Sequence, residues 1–123
     1  MEQYVITFDE IRALLAEQQY SDDDITELEK AFEFARKLHS GQYRVSEEPY
    51  IIHPMEVVKI LIGLRADKHT LMAGFLHDIL EDTDTKPEEI KELFGEDVLN
   101  LVQGVTKLGK LQFKSTEERQ AEN

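Results

Sequence analysis

The chain has 123 residues, 41% of them hydrophobic, with no cysteine, no tryptophan and a formal net charge of −12. That length fits one domain with a single core, and the missing cysteines exclude disulfides, zinc–thiolate sites and thiol nucleophiles together. The acidity argues against a nucleic-acid partner, because phosphate binding needs a basic footprint, and an anionic small-molecule substrate requires a metal and local Arg or Lys residues to reverse the field. No apolar run is long enough to span a bilayer and MEQYVITFDE is not a signal peptide, so the expectation is a cytoplasmic location without membrane attachment.

The chain reads as consecutive short helices, with no repeat and no convincing strand. Phe8, Ile11, Leu14 and Leu15 mark a first amphipathic helix. Ser21 followed by Asp22-Asp23-Asp24 starts a second, because a serine cap and acidic residues satisfy the free N–H groups and the helix dipole. Its apolar positions Ile25, Leu28, Ala31, Phe32 and Ala35 keep the 3.6-residue period to about His39. Residues 42–50 are polar, aromatic and Pro-containing, which predicts a loop. Pro54 suits the first turn of a third helix, with Met55, Val58, Leu61 and Ile62 facing the core.

A fourth helix is expected from Asp67 or Thr70 through His77-Asp78-Ile79-Leu80-Glu81-Asp82. At 100° per residue, positions 77, 78, 81 and 82 fall at roughly 0°, 100°, 40° and 140°, one arc of the helix. Gly74 lies near the middle of that arc one turn earlier, where a missing side chain leaves room for a ligand. Thr85-Lys86-Pro87-Glu88 predicts a capping box for a fifth helix that Gly95 ends. Residues 97–105 make a sixth. Ser115-Thr116-Glu117-Glu118 repeats a capping pattern shortly before Asn123, which suggests a domain interrupted in mid-fold, with a frayed tail as the alternative.

Four ionisable groups beside an apolar core are costly unless they are paired or bind a cation. A solvated acidic helix end is the plain alternative, but negative charge at a helix C-terminus is unfavourable. A short connection makes the third and fourth helices antiparallel neighbours, which brings His53 beside the cluster as a third ligand. Two imidazoles and a carboxylate suit Mn, Fe or Zn better than Mg or Ca. Glu81 and Asp82, one turn on, can hold and deprotonate a water there. Arg44 is a rigid donor fork for a phosphate or for stacking on a base. His39 and His69 have no such context and are expected to be solvated or packing residues.

The run from Arg44 through Ser46, Pro49, Tyr50 and His53 to Pro54, then His77 to Thr83, then Gly104-Val105-Thr106-Lys107-Leu108, resembles the N-terminal hydrolase domain of RelA/SpoT-type bifunctional alarmone enzymes. These are members of the HD superfamily, and the resemblance covers about residues 28 to 123. It implies an all-α HD-domain helical bundle, of which residues 1–123 are an N-terminal part truncated on the C-terminal side. It implies hydrolysis of the 3′-pyrophosphate of (p)ppGpp, with one Mn²⁺, to GDP or GTP and pyrophosphate, as in stringent-response alarmone turnover.

By the same resemblance His53, His77 and Asp78 are metal ligands, and Glu81 and Asp82 activate water. Arg44 and Ser46 line the guanosine pocket. A fourth ligand, an Asp, is expected beyond residue 123, and the synthetase and regulatory domains of the parent protein are missing. Val45 and Glu47 stand where the family usually carries Lys and Gly, and Gln103 where it carries Asp. The alternatives are an HD-superfamily phosphohydrolase acting on another nucleotide, or a non-catalytic regulatory module that keeps the fold.

Overall fold

The structure is a computed structural model and describes residues 6–43 and 47–104. Helix α1 (Asp9–Glu17) turns into α2 (Asp22–Leu38), a loop leads to α3 (Ile52–Gly63), and α4 (Lys68–Leu76), α5 (Ile79–Asp82) and α6 (Pro87–Phe94) follow. A further helical stretch covers 96–104. No β-strand forms among the described residues; the loop before α3 carries only an isolated bridge between Tyr43 and Pro49. The expected calls on residues beyond 104, the second capping pattern at Ser115 included, lie outside the described residues.

Local signals in the sequence explain the starts of α2 and α4. Ser21 Oγ accepts the Asp24 N–H at 3.1 Å and Asp67 Oδ1 accepts the Thr70 N–H at 2.9 Å, so each side chain takes up a donor that its helix leaves free. Gly95 closes α6 with φ +99°, a conformation open to glycine. The predicted capping box at Thr85 does not form. Lys86 is the N-cap, with no side-chain hydrogen bond, and Pro87 opens the helix. Thr85 instead bonds Thr83, their hydroxyl oxygens 2.8 Å apart, while Thr83 donates to Ile79 O at 2.7 Å. This pair ties the acidic end of α5 to the start of α6.

From Leu71 to Leu76 helix α4 is apolar on every side and wholly buried, as the central helix of a bundle must be. It packs most extensively on α3 and α2. Phe32 and Phe75 meet edge-to-face at 5.9 Å, and Phe8 of the α1 N-cap adds a third ring 5.5 Å from Phe32. Outside this core, Tyr20 donates to Ala66 O at 2.6 Å, pinning the α1–α2 corner to the α3–α4 turn.

Two expectations for the fourth helix need correction. Gly74 does not open space for a ligand; a Cβ there would stand 3.0 Å from Val58 Cγ2 and 3.1 Å from Leu61 Cδ1, so the glycine lets α3 approach closely. The helix is also not continuous. It stops at Leu76, turns through His77 and Asp78, and resumes at Ile79. Gly74 O accepts the His77 Nδ1–H at 2.7 Å, so the carbonyl that an unbroken helix would offer to the Asp78 N–H is engaged by a side chain.

Candidate metal centre

The break redistributes the polar cluster. His53 enters from the first turn of α3, while His77 and Asp78 occupy the turn that follows α4. These helices are antiparallel neighbours, as expected. One donor atom from each of the three side chains lies within 4.8 Å of the others. The two imidazole rings are 5.9 Å apart and inclined at 59°. His77 Nε2 and Asp78 Oδ2 are separated by 3.1 Å, and both side chains are more than four-fifths buried.

The His77 ring is held in place by its own turn. Its Nδ1 donates to Gly74 O, which fixes the ring so that Nε2 faces Asp78 Oδ2 and could serve a cation held between them. Without a cation the two groups stabilise each other's charge. Burial works against an imidazolium at His77, but the hydrogen bond and charge of Asp78 prevail and raise its pKa. Burial likewise opposes the Asp78 carboxylate, but the bond to His77, with the nearby His77 and His53 imidazoles, outweighs it and lowers the Asp78 pKa. A divalent ion would replace this mutual compensation, and a donor set of two imidazole nitrogens and a carboxylate fits one.

Glu81 and Asp82 follow on α5, but they no longer share a continuous helical arc with His77 and Asp78. They line an open cleft of about 600 Å³ with Gln42, Thr83, Asp84 and Glu89. Tyr50 stands between the two groups. Its hydroxyl donates to Asp82 Oδ2 at 2.5 Å. Burial, the Asp82 hydrogen bond and the charge of Asp78 all raise the Tyr50 pKa, so the phenol stays protonated and remains a donor.

Sequence reasoning did not single out Tyr50, Gln42 or His39 for the site. The available signal for Tyr50 was its place three residues before His53, with its carbonyl accepting the His53 N–H at 3.2 Å. His39 is a packing residue, 3% exposed and stacked on Tyr50. Arg44 and Ser46 lie outside the described residues. Among these residues no helix is long and apolar enough to cross a membrane.

Residues 31–123 match the HD-domain family model, and the chain belongs to the HD-domain family. Within that family its relatives are RelA/SpoT-type enzymes, as the motifs led one to expect. It is 55% identical over 97 residues to the guanosine-3′,5′-bis(diphosphate) 3′-pyrophosphohydrolase of Aquifex aeolicus, covering 79% of this chain and 14% of that protein. It is 48% identical over 102 residues to the bifunctional (p)ppGpp synthase/hydrolase SpoT of Escherichia coli, covering 83% and 14% respectively. The chain thus spans about one-seventh of the length of these relatives. Among solved structures, that of a metazoan ortholog of SpoT that hydrolyses ppGpp superimposes with a TM-score of 0.62 at 35% identity, over 69% of this chain and 48% of the other. The all-α HD bundle is thereby established.

Proposed function

We propose that this chain is the metal-binding part of a (p)ppGpp 3′-pyrophosphohydrolase, working in the cytoplasm within a longer protein. The observation that carries the reading is the convergence of His53, His77 and Asp78 donor atoms within 4.8 Å, beside a carboxylate, Asp82, held by a protonated phenol. The names and identities of the relatives support the substrate. The borderline nitrogen–oxygen donor set supports Mn²⁺ over Mg²⁺ or Ca²⁺.

Release of pyrophosphate inserts water across the bond joining the nucleoside O3′ to phosphorus. A P–O bond forms to the water oxygen, the bond to O3′ breaks, and the proton taken from water is returned to O3′. The bound ion would supply positive charge that draws an anionic diphosphate into an acidic molecule and stabilises charge on its oxygens. Asp82, with Oδ2 occupied by Tyr50, accepts the water proton at Oδ1, and Glu81 beside it orients the water. Arg44 and Ser46 are assigned to the guanosine moiety, which an arginine fork and a hydroxyl suit by chemistry.

The test is turnover of a nucleotide panel with added Mn²⁺, following pyrophosphate release, together with metal analysis of protein purified without chelator. Release from ppGpp and pppGpp alone is the expected result. Cleavage of deoxynucleoside triphosphates or cyclic nucleotides with (p)ppGpp untouched overturns the substrate assignment. Absence of Mn, Fe and Zn at any occupancy, with no turnover, leaves a regulatory module in its place.

A further inference from the structure

Asp82 is the last residue of a single-turn helix and sits at the mouth of an open cleft. Such an isolated turn does little to fix a terminal side chain. Asp82 is nevertheless held at two points by a segment far away in sequence. Gln42 Nε2 donates to Asp82 O at 3.2 Å, and Tyr50 Oη donates to Asp82 Oδ2 at 2.5 Å.

That segment is itself braced. The His39 ring, buried at the end of α2, stacks on Tyr50 with centroids 4.7 Å apart and planes 27° from parallel. His39 Nδ1 lies 3.0 Å from Gln42 Oε1, so each end of the Gln42 amide has one partner. The Tyr50 N–H donates to Gln42 O at 2.9 Å, and the Gln42 N–H donates to His39 O at 2.9 Å. His39 Nε2 is buried with no protein partner among the described residues. An imidazole kept there despite an unsatisfied nitrogen has a cost, and the stack on Tyr50 with the Gln42 bond is what its ring contributes in return.

We propose that Tyr50 is a positioning residue that fixes the Asp82 carboxylate for proton transfer, with His39 and Gln42 as its brace. The inference rests on the reading of Asp82 as the group that accepts the water proton. By occupying Oδ2, the phenol confines proton acceptance to Oδ1 and stops rotation of the carboxylate. Tyr50 also feels the charge of Asp78, but its hydroxyl bonds Asp82, and the two histidine ligands are anchored separately, His53 on α3 and His77 through Gly74 O.

Tyr50→Phe keeps the ring, and with it the stack on His39, but removes the donor. In the full chain, three-bond couplings should show Asp82 in one χ1 rotamer in the wild type and averaged in Tyr50→Phe. Mn²⁺ affinity should be unchanged. With ppGpp, kcat should fall about tenfold to a hundredfold while KM changes less than about twofold, as expected when a general base is misaligned and binding is not. Gln42→Ala, which cuts the bond to Asp82 O and the one to His39 Nδ1 but leaves the phenol donor in place, should give a smaller loss of the same kind and serves if the Tyr50 variant fails to fold. Asp82 remaining in one rotamer, kcat remaining unchanged, or metal affinity falling in step with kcat would each overturn the assignment. A wild-type chain that binds metal but does not hydrolyse ppGpp counts against the hydrolase reading instead, and the rotamer measurement then decides the brace by itself.

Discussion

The Nδ1–H of His77 is committed to Gly74 O, so the imidazole offers one lone pair, on Nε2, to the space it shares with His53 and Asp78. Asp82 is fixed differently, by a phenol and a carboxamide from the loop before α3. The two kinds of anchorage imply separable roles, and substitutions should separate them. On the proposed reading, Asp82→Asn leaves a carboxamide of nearly the same shape that cannot accept the water proton; Mn²⁺ should still bind while hydrolysis is lost. His77→Ala should lose the metal, because no other side chain replaces Nε2. Equilibrium dialysis against Mn²⁺, run beside a turnover assay, distinguishes the two. Equal metal loss in both variants would show that ligand and base cannot be divided in this way.

At the scale of the helices, two residues determine how α4 sits. Asp67 caps its N-terminus, and the bonds to Thr70 hold the Asp67 carboxyl below the usual carboxylate range. A depressed folded-state pKa contributes stability that is present above the unfolded value of about 4 and is lost as pH falls through the folded value. Asp67→Ala should therefore cost about 1 kcal/mol at neutral pH, and the difference from wild type should shrink as pH is lowered, followed by urea denaturation across the acid range. Gly74 governs the other contact. Gly74→Ala gains about 1 kcal/mol of helix propensity but drives its methyl into Val58 and Leu61. Overpacking of about 1–3 kcal/mol should win. The variant should unfold at lower urea and bind Mn²⁺ more weakly, since the carbonyl that orients His77 moves with the helix. The helices themselves were legible from caps and periodicity: Ser21, Asp67, and the buried faces of α1 and α2 fall where expected. The break at 77–78 was not, because a helical wheel assumes an unbroken 100° step and cannot register a side chain bonding to its own turn. Gly74 was misread for a related reason, since its use depends on which helix lies opposite. His53, His77 and Asp78 were found because chemistry concentrates in them; Tyr50 was passed over because its partner is 32 positions away.

For the molecule as a whole, charge is the governing quantity. With a net charge of −12, a cluster of further carboxylates around α5 is a poor place for an anionic substrate unless a cation is present, and the same repulsion favours cation uptake. Binding to the folded state alone should raise stability by about 2.7 kcal/mol when Mn²⁺ is at a hundred times its dissociation constant. Thermal unfolding with and without the metal should show this increase, and His53→Ala should abolish it; an equal increase in the variant would place the ion elsewhere. The three converging side chains also share one sequence-local origin. His53, His77 and Asp78 all belong to the hairpin of α3 and α4, whereas Phe8 and Tyr20 reach that hairpin only from the far end of the chain. Closing the shorter loop costs less chain entropy than closing the longer ones. On that ground, a chain emerging from the ribosome brings the three proposed ligands together as soon as the hairpin forms around Gly74. Its partners α1 and α2 are already synthesised by then and pack on the hairpin once it has formed, so the metal ligands come together before the longer loops close.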